Sequence, residues 1–569
     1  MKQIKRILIQ SFACLLLGMI FHHDPAYAAD TPVNAATFPD NDFRQYVLAQ
    51  IDQNKDRILT DEEKNNTRKI VVDANCEDRY EVKNFQGIEV FTELEELQIL
   101  QFVEPEGEYD CGYSVDLTLD LSANKKLKIF VCKAGEVKNL DLSGLICLEE
   151  LQLDCGYPVQ DLSRLGGLTQ VDIKGNSAVK ESVVLPKEML HITTLKLGSN
   201  IQIPDRMPVL QELCLDTPNV PAVNFSLDFH KYPTLTNLTL YGVNMTELDV
   251  SEMKNLKSFH FGGYRINTIN MRGCSALEEL DVSSTGLQSN VLLGGCTNIR
   301  RLKYGFTRVT ISDIQIGELA DLEYLDCNNT GVKVLDLSNN HKLKEVQASL
   351  NELTDVRLSP QASYETLSLI GNKLTKLDLR NIKVRTVLAD LNRLKEITLS
   401  PDQMYKEISL NGNKLTKLDL RKIKVQTIRA ERNNLKEIRL STKAPYKMIS
   451  LDGNRLTKLD LRNVKAETVL CRRNDLKKLL LSAKGKYKTI SVDQNFLTKL
   501  DLRNIKVQTV TCRDNMIRSL KVRKNKTIQK LDCRHNKLKS LDVRQCRKLK
   551  KLLWYSGSKG LKKSKIRRR

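Results

Sequence analysis

The stretch Gly371-Asn-Lys-Leu-Thr-Lys-Leu-Asp-Leu-Arg380 returns almost unchanged from Gly412 and from Gly453, and in degraded form from Gln494. The starts lie about 41 residues apart, and each block holds two shorter units with the frame LxLxxNxLxxLxL, the mark of a stacked repeat. Its asparagine can be followed as Asn351, Asn372, Asn392, Asn413, Asn433, Asn454, Asn474, Asn495, Asn515 and Asn536. In the unit Leu367-Ser-Leu369-Ile-Gly-Asn372-Lys-Leu374-Thr-Lys-Leu377-Asp-Leu379, the alternation at Leu367 and Leu369 predicts a short strand with one buried face. Asn372 can satisfy turn backbone groups through its amide, while Leu374, Leu377 and Leu379 fill the coil from the return side. No unit buries that face alone. Stacking supplies the partner, with neighbouring strands parallel and about 4.8 Å apart.

Upstream the frame loosens but persists at Leu325-Asp-Cys327, Leu302-Lys-Tyr304, Leu280-Asp-Val282, Leu238-Thr-Leu240, Leu213-Cys-Leu215, Leu195-Lys-Leu197, Leu151-Gln-Leu153 and Leu97-Gln-Ile99. Irregular lengths at Val103 to Ser114 and Ile201 to Pro208 predict loops that bulge from the stack. The expected fold is an α/β-type repeat solenoid, a horseshoe or spiral with short parallel strands on its concave face, preceded by a small helical cap. The expected boundaries are a signal peptide at 1–28, the cap at 29–84, the solenoid at 85–555 (irregular to about 320) and a basic tail at 556–569.

The chain resembles the secreted leucine-rich-repeat proteins of bacteria, a group that includes the internalin-like adhesins. The resemblance rests on the repeat frame, on Leu531-Asp-Cys-Arg-His-Asn-Lys-Leu-Lys-Ser-Leu-Asp-Val543, and on Phe38-Pro-Asp-Asn-Asp-Phe-Arg-Gln-Tyr-Val47 ahead of the first repeat. It implies a binding protein but no particular ligand, because one fold hosts many functions.

At the N-terminus Lys2, Lys5 and Arg6 precede an apolar run from Ile7 to Phe21, and Ala26-Tyr-Ala28 marks a cleavage site. Export follows as an expectation, with the protein extracellular or retained at the cell surface. No other apolar run reaches membrane-spanning length. Cys132, Cys327, Cys471, Cys512 and Cys533 occupy inward strand positions and read as small core residues; Cys147, Cys274, Cys296 and Cys546 are expected to be buried on the following turn. A bridge between Cys76 and Cys111 stays open.

One segment has a ligand grammar. Asp52-Gln-Asn54-Lys-Asp56-Arg57-Ile58-Leu59-Thr60-Asp61-Glu62-Glu63 places oxygen donors from Asp52, Asn54, Asp56, the Ile58 carbonyl and Glu63 at EF-hand positions. Calcium is the expected cofactor. Arg57 stands where the loop normally takes glycine, which weakens the site, and a cap that merely keeps the loop shape remains the alternative.

Charge is unevenly spread: residues 30–150 carry about −13, residues 151–360 about −5 and residues 361–569 about +37. Lys376, Lys417, Lys458 and Lys499 recur at one repeat position, Arg380, Arg421, Arg462 and Arg503 at another, and Lys383, Lys424, Lys465 and Lys506 at a third. All three sets are expected to form cationic ladders, and the first two are the expected contacts to a polyanion such as an anionic cell-wall polymer or host glycosaminoglycan. The concave face reads as a mixture of small hydroxyls and charges, from Ser368, Ser409, Ser450 and Ser491 to Arg429, Arg472, Arg513 and Arg534, and these four arginines are the expected contacts to a protein or glycan ligand. Tyr364, Tyr405, Tyr446 and Tyr487 recur just before alternate strands and are expected to pack rather than bind.

Nothing in the sequence resembles a metal-binding histidine motif, a phosphate loop or a nucleophile elbow, so neither an enzyme nor a small-molecule substrate is expected. The leading expectation is an exported, surface-associated binding protein that engages a protein or glycan through its concave face. The alternative is a polyanion-binding scaffold held by its lysine and arginine ladders and basic tail.

Overall fold

The computed structural model describes residues 30–74, 80–103, 113–114, 116–157, 160–174, 183–198, 203–216, 228–242, 245–262, 266–283, 290–312, 315–401, 403–483, 485–554 and 566–567. The expected signal peptide, Cys76, Cys111 and most of the basic tail lie outside them. The chain divides into two compact units, one built mainly from residues up to Val223 and one mainly from Asn244 onward.

In the first unit a helix spans Asn41–Gln50, with Asp40 accepting from the backbone N–H groups of Asp42 and Phe43 at its N-cap. Phe43, Tyr46 and Val47 point to the core from this helix. The helix and its N-cap are sewn to the first coils: Asp40 also accepts from Lys83 N–H, Asp42 from Glu81 N–H, and the Tyr46 hydroxyl from Val71 N–H. A parallel sheet then runs through Lys69–Asp73, Glu96–Leu100, Ile129–Lys138, Glu150–Gly156, Gln170–Lys174, Thr194–Leu197 and Glu212–Asp216, each strand paired with the next. The sheet therefore starts inside the segment expected to be a purely helical cap. Ile70-Val-Val72 supplies an alternating β-branched strand without a single leucine, which the leucine frame does not register.

The second unit continues the same construction from Ser258–Gly262 through Lys551–Leu553, with parallel pairing at every step. On the return side of each coil a second, shorter strand pairs with its neighbour, as in Lys376–Leu379 with Glu396–Leu399 and Lys458–Asp460 with Lys478–Leu480. Leucine, isoleucine and valine fill the space between; Leu367, Leu369, Leu377 and Leu379 are all buried. Ile566–Arg567 pairs with Leu541–Asp542, so this part of the expected free tail joins the return-side strands.

The asparagines form a continuous hydrogen-bonded column. Asn413 Nδ2 donates to Ala389 O (2.8 Å) and Leu410 O (3.1 Å), and its Oδ1 accepts from Leu394 N–H (2.9 Å); Asn372, Asn392, Asn454, Asn495 and Asn515 repeat the pattern, while Asn433 and Asn474 keep both inter-coil bonds and donate within their own coil to the carbonyls of Glu431 and Arg472. The residue before each asparagine is left-handed, from Leu350 (φ 58°) to His535 (φ 53°). Glycine at 371 and 412 serves a second purpose: a Cβ there would meet Leu350 and Leu391 Cδ2 at 3.0 and 2.8 Å.

The tyrosine column is buried. Each phenol oxygen accepts from a backbone N–H five residues earlier, at Ser359, Ser400, Ser441 and Ser482, and burial pushes Tyr364 and Tyr446 up to about 12. Cys132, Cys327, Cys471, Cys512 and Cys533 are buried, as are Cys274, Cys296 and Cys546. Cys147 is exposed, against expectation, because Leu145 takes the buried turn position that Cys274 fills in its own coil. Among the described residues no helix is long and apolar enough to cross a membrane.

Candidate binding surfaces

Arg429, Arg472, Arg513 and Arg534 all lie at the ends of main-sheet strands, with 39, 48, 45 and 37% of their side chains exposed, so a partner can reach them. None is an unpaired cation. Arg429 Nε donates to Glu407 (2.8 Å), Arg472 Nε to Asp452 (2.7 Å) and Arg534 Nε to Asp532 (2.9 Å), while Arg513 stands 3.6 Å from Asp493. Three of these arginines belong to one column that reads Asp390, Asn411, Glu431, Asp452, Arg472, Asp493, Arg513, Arg534 in successive coils. Its acidic and amide members cap the next coil: Asp390 accepts from Asn411 N–H, Asn411 from Glu431 N–H, Asp452 from Arg472 N–H and Asp493 from Arg513 N–H. Burial pushes the carboxyls of Asp390 and Asp493 up despite these bonds.

The serines expected to face outward are buried. Ser368 shares a hydrogen bond with Ser349, Ser409 donates to Asp390, Ser450 to Glu431, and Ser491 bonds to Thr511. Each is thus covered by a hydroxyl or carboxylate from an adjacent coil.

The two expected cationic ladders differ from expectation as well. Lys376 pairs in register with Glu396 and Lys417 with Glu437, so the first half of the lysine ladder alternates in sign. Further on, Lys458 faces Lys478, and Lys499 faces Ser519. Arg380, Arg421, Arg462 and Arg503 each fold back on the aspartate two residues earlier, as in Arg462 Nη2 to Asp460 Oδ2 at 2.7 Å. The hydrogen bond from Arg462 holds the Asp460 carboxyl at about 2. These arginines are local counterions of the Asp-Leu-Arg phrase. The lysines carry the uncompensated charge.

At the N-terminus the Asp52–Glu63 segment folds as a compact loop. Arg57 adopts φ 65° at the position that normally takes glycine, and Asp52 Oδ2 accepts its N–H. Asp56 Oδ1 accepts from Ile58 N–H, and Ile58–Leu59 pairs antiparallel with Thr31–Pro32. Glu63 accepts from Gln53 N–H and Thr60 N–H and completes a capping box with Thr60. Those contacts pull the Glu63 carboxyl below its ordinary value although desolvation opposes them. Among the described residues no group of three or more His, Cys, Asp or Glu side chains converges to hold a metal ion. Asp52 is nevertheless 2% exposed, and its Oδ1 is buried without a hydrogen-bond partner.

Comparison with solved structures bears on this architecture. YopM from Yersinia enterocolitica WA-314 superposes with a TM-score of 0.54 at 15% identity, covering 90% of this chain and 93% of YopM. The fold is that of a leucine-rich-repeat solenoid. The plant peptide hormone receptor RGFR1 in complex with RGF2 aligns at TM-score 0.44 and 16% identity over 82% of this chain and 87% of that one. The Leptospira interrogans leucine-rich-repeat protein LIC12759 aligns at 0.39 and 16% over 69% and 92%. No family model and no curated protein matches the sequence.

Proposed function

We propose that this protein is an exported, surface-associated binding protein that engages a protein or glycan partner through the ends of its main-sheet strands. The observation that carries the reading is the column from Asp390 to Arg534, where exposed arginines are held by neighbouring carboxylates on a regularly hydrogen-bonded frame. Fixing side chains before binding lowers the entropic cost of recognition. Export is supported by Lys2, Lys5, Arg6 and the apolar run that follows them in the sequence. Immobilised protein is to be screened against protein and glycan arrays at 0.15 and 1 M salt. A ligand retained at 1 M salt and weakened about tenfold or more by combined Arg472→Ala, Arg513→Ala and Arg534→Ala supports the proposal. If the triple variant keeps every ligand of the wild type, the arginines only brace the fold.

The broader polyanion reading, which used both ladders along their whole length, is narrowed by Glu396, Glu437 and the Asp-Leu-Arg pairs. Its remaining part is taken up below.

We propose further that the Asp52–Glu63 loop takes a calcium ion. The donor set is all oxygen, from Asp52, Asn54, Asp56, the Ile58 carbonyl and Glu63, and the orphaned Asp52 Oδ1 supports a cation there. Calcium at about 5 mM, within reach of a weak extracellular-type site, is expected to raise the melting temperature of the full chain. Glu63→Gln keeps the capping box but removes a charge, so it is expected to abolish the rise. An unchanged melting temperature in the wild type would leave the loop as a helix cap alone.

A further inference from the structure

We propose that Lys458, Lys478, Lys499 and Lys521 form a binding face for a linear anionic polysaccharide, and that this site is confined to the C-terminal coils. It lies on the return-side strands, away from the column proposed above, so loss of either function leaves the other intact.

The register sets these coils apart. Lys458 pairs with Lys478 and Lys499 with Ser519, while Lys521, two residues further along the strand of Ser519, faces Asp501. Residues two apart on these strands share a face: Arg439 Nε reaches Glu437 at 2.6 Å and Lys458 Nζ approaches Asp460 at 3.7 Å. The acids on that face, Asp460 and Asp501, are already held by Arg462 and Arg503 at 2.7 Å. All four lysines are exposed. At the repeat position of Lys458, Lys478 and Lys499, the coils upstream read Lys376, Glu396, Lys417 and Glu437, which alternate in sign.

Facing Lys458 with Lys478 about 4.8 Å away is unfavourable for the sheet, and Asp460, the acid beside Lys458, is shared with Arg462. A glutamate at 478 would restore the upstream pattern at no cost to the core, since the position is exposed. The arrangement is therefore explained by an external counterion that spans several coils. Lys458, Lys478 and Lys499 hold one repeat position in successive coils, with Lys521 two residues along the next strand, and such a face fits one flexible chain. Lysine also suits such a chain, because its compact ammonium makes no planar demand of the kind an arginine fork does.

The apolar neighbours favour a sugar backbone. Phe496 and Met516 are 43 and 39% exposed and occupy the place of the polar Lys373, Arg393, Lys414, Asn434, Arg455 and Asp475 in earlier coils. Phe496 lies three residues before Lys499 and gives a sugar ring an aromatic surface. One ring cannot provide the successive stacking platform that single-stranded nucleic acid uses.

The test uses the full chain and a heparin dodecasaccharide at 0.1 M salt, with inorganic polyphosphate and a short DNA duplex as competitors. Combined Lys458→Gln, Lys478→Gln, Lys499→Gln and Lys521→Gln is expected to weaken binding about 30-fold and flatten its salt dependence. Lys376→Gln with Lys417→Gln should change it less than about threefold, and Phe496→Ala should weaken heparin about fivefold while sparing polyphosphate. Glu396→Lys with Glu437→Lys should strengthen heparin binding by building the same row upstream. Equal losses from the two lysine sets, or no loss from the C-terminal set, would overturn the site. Displacement of heparin by polyphosphate or DNA at equal charge, with Phe496→Ala silent, would overturn the polysaccharide assignment.

Discussion

Replacing Asn413 by leucine is expected to destabilise the second unit by about 3–5 kcal/mol, read as a shift in the urea unfolding midpoint of the full chain. The two side chains share a branched heavy-atom skeleton, so the replacement leaves no cavity. The loss comes from three backbone groups that Asn413 serves: the carbonyls of Ala389 and Leu410 and the N–H of Leu394, all in buried surroundings. A buried polar group left without a partner costs about 1–3 kcal/mol, and local relaxation recovers part of the sum. Asn413→Asp keeps an acceptor for Leu394 N–H but loses both donations, so its cost should approach that of leucine. Because stability in a stacked array is shared between neighbouring coils, hydrogen-exchange protection should fall first at coils flanking 389–415. A loss below about 1 kcal/mol for Asn413→Leu would mean that water or a shifted turn replaces the amide, and that the column is not what holds the coils in register.

The positions of these asparagines were legible because one residue per coil must cap the same turn, and a requirement that repeats in space repeats in sequence. The inter-coil partners of each amide were not legible, since the carbonyl it donates to and the N–H it accepts from both belong to the preceding coil. The same limit explains the charges. Following every second coil, 41 residues apart, isolates Lys376, Lys417, Lys458 and Lys499 and hides the Glu396 and Glu437 that sit between them in the sheet. The relevant neighbour is one coil away, about 20 residues, and there the two halves of the ladder part company. Ser368, Ser409, Ser450 and Ser491 misled for a related reason: strand alternation places them outward, but the carboxylate or hydroxyl that covers each comes from an adjacent coil. The first strand escaped notice because Ile70-Val-Val72 satisfies the physics of a buried strand without matching the leucine frame.

Gly87→Ala is expected to cost the first unit about 3–4 kcal/mol and to loosen the segment that carries the proposed calcium loop. Gly87 has φ 103°, outside the left-handed region that even asparagine adopts, so any side chain there strains the backbone. An added Cβ would also stand 2.3 and 2.5 Å from two ring carbons of Phe38 and 2.9 Å from the Thr37 carbonyl oxygen. Phe38 cannot yield easily. It is fully buried, edge-on to Phe43 at 5.7 Å and against Phe91 at 6.4 Å, so it joins the Asn41–Gln50 helix to the first coil. The two costs can be separated. Phe38→Ala removes the ring contact but not the backbone strain, so the Gly87→Ala, Phe38→Ala double variant should be more stable than the sum of the single losses implies, by about 1–2 kcal/mol. Hydrogen exchange at Lys83 and Asn84, whose N–H groups donate to Asp40, gives a local reading of the same event. If Gly87→Ala leaves both the unfolding midpoint and this protection unchanged, Phe38 does not clamp the helical segment against the first coil. In that case Asp40, Asp42 and Tyr46 must hold it through their hydrogen bonds to Lys83, Asn84, Glu81 and Val71.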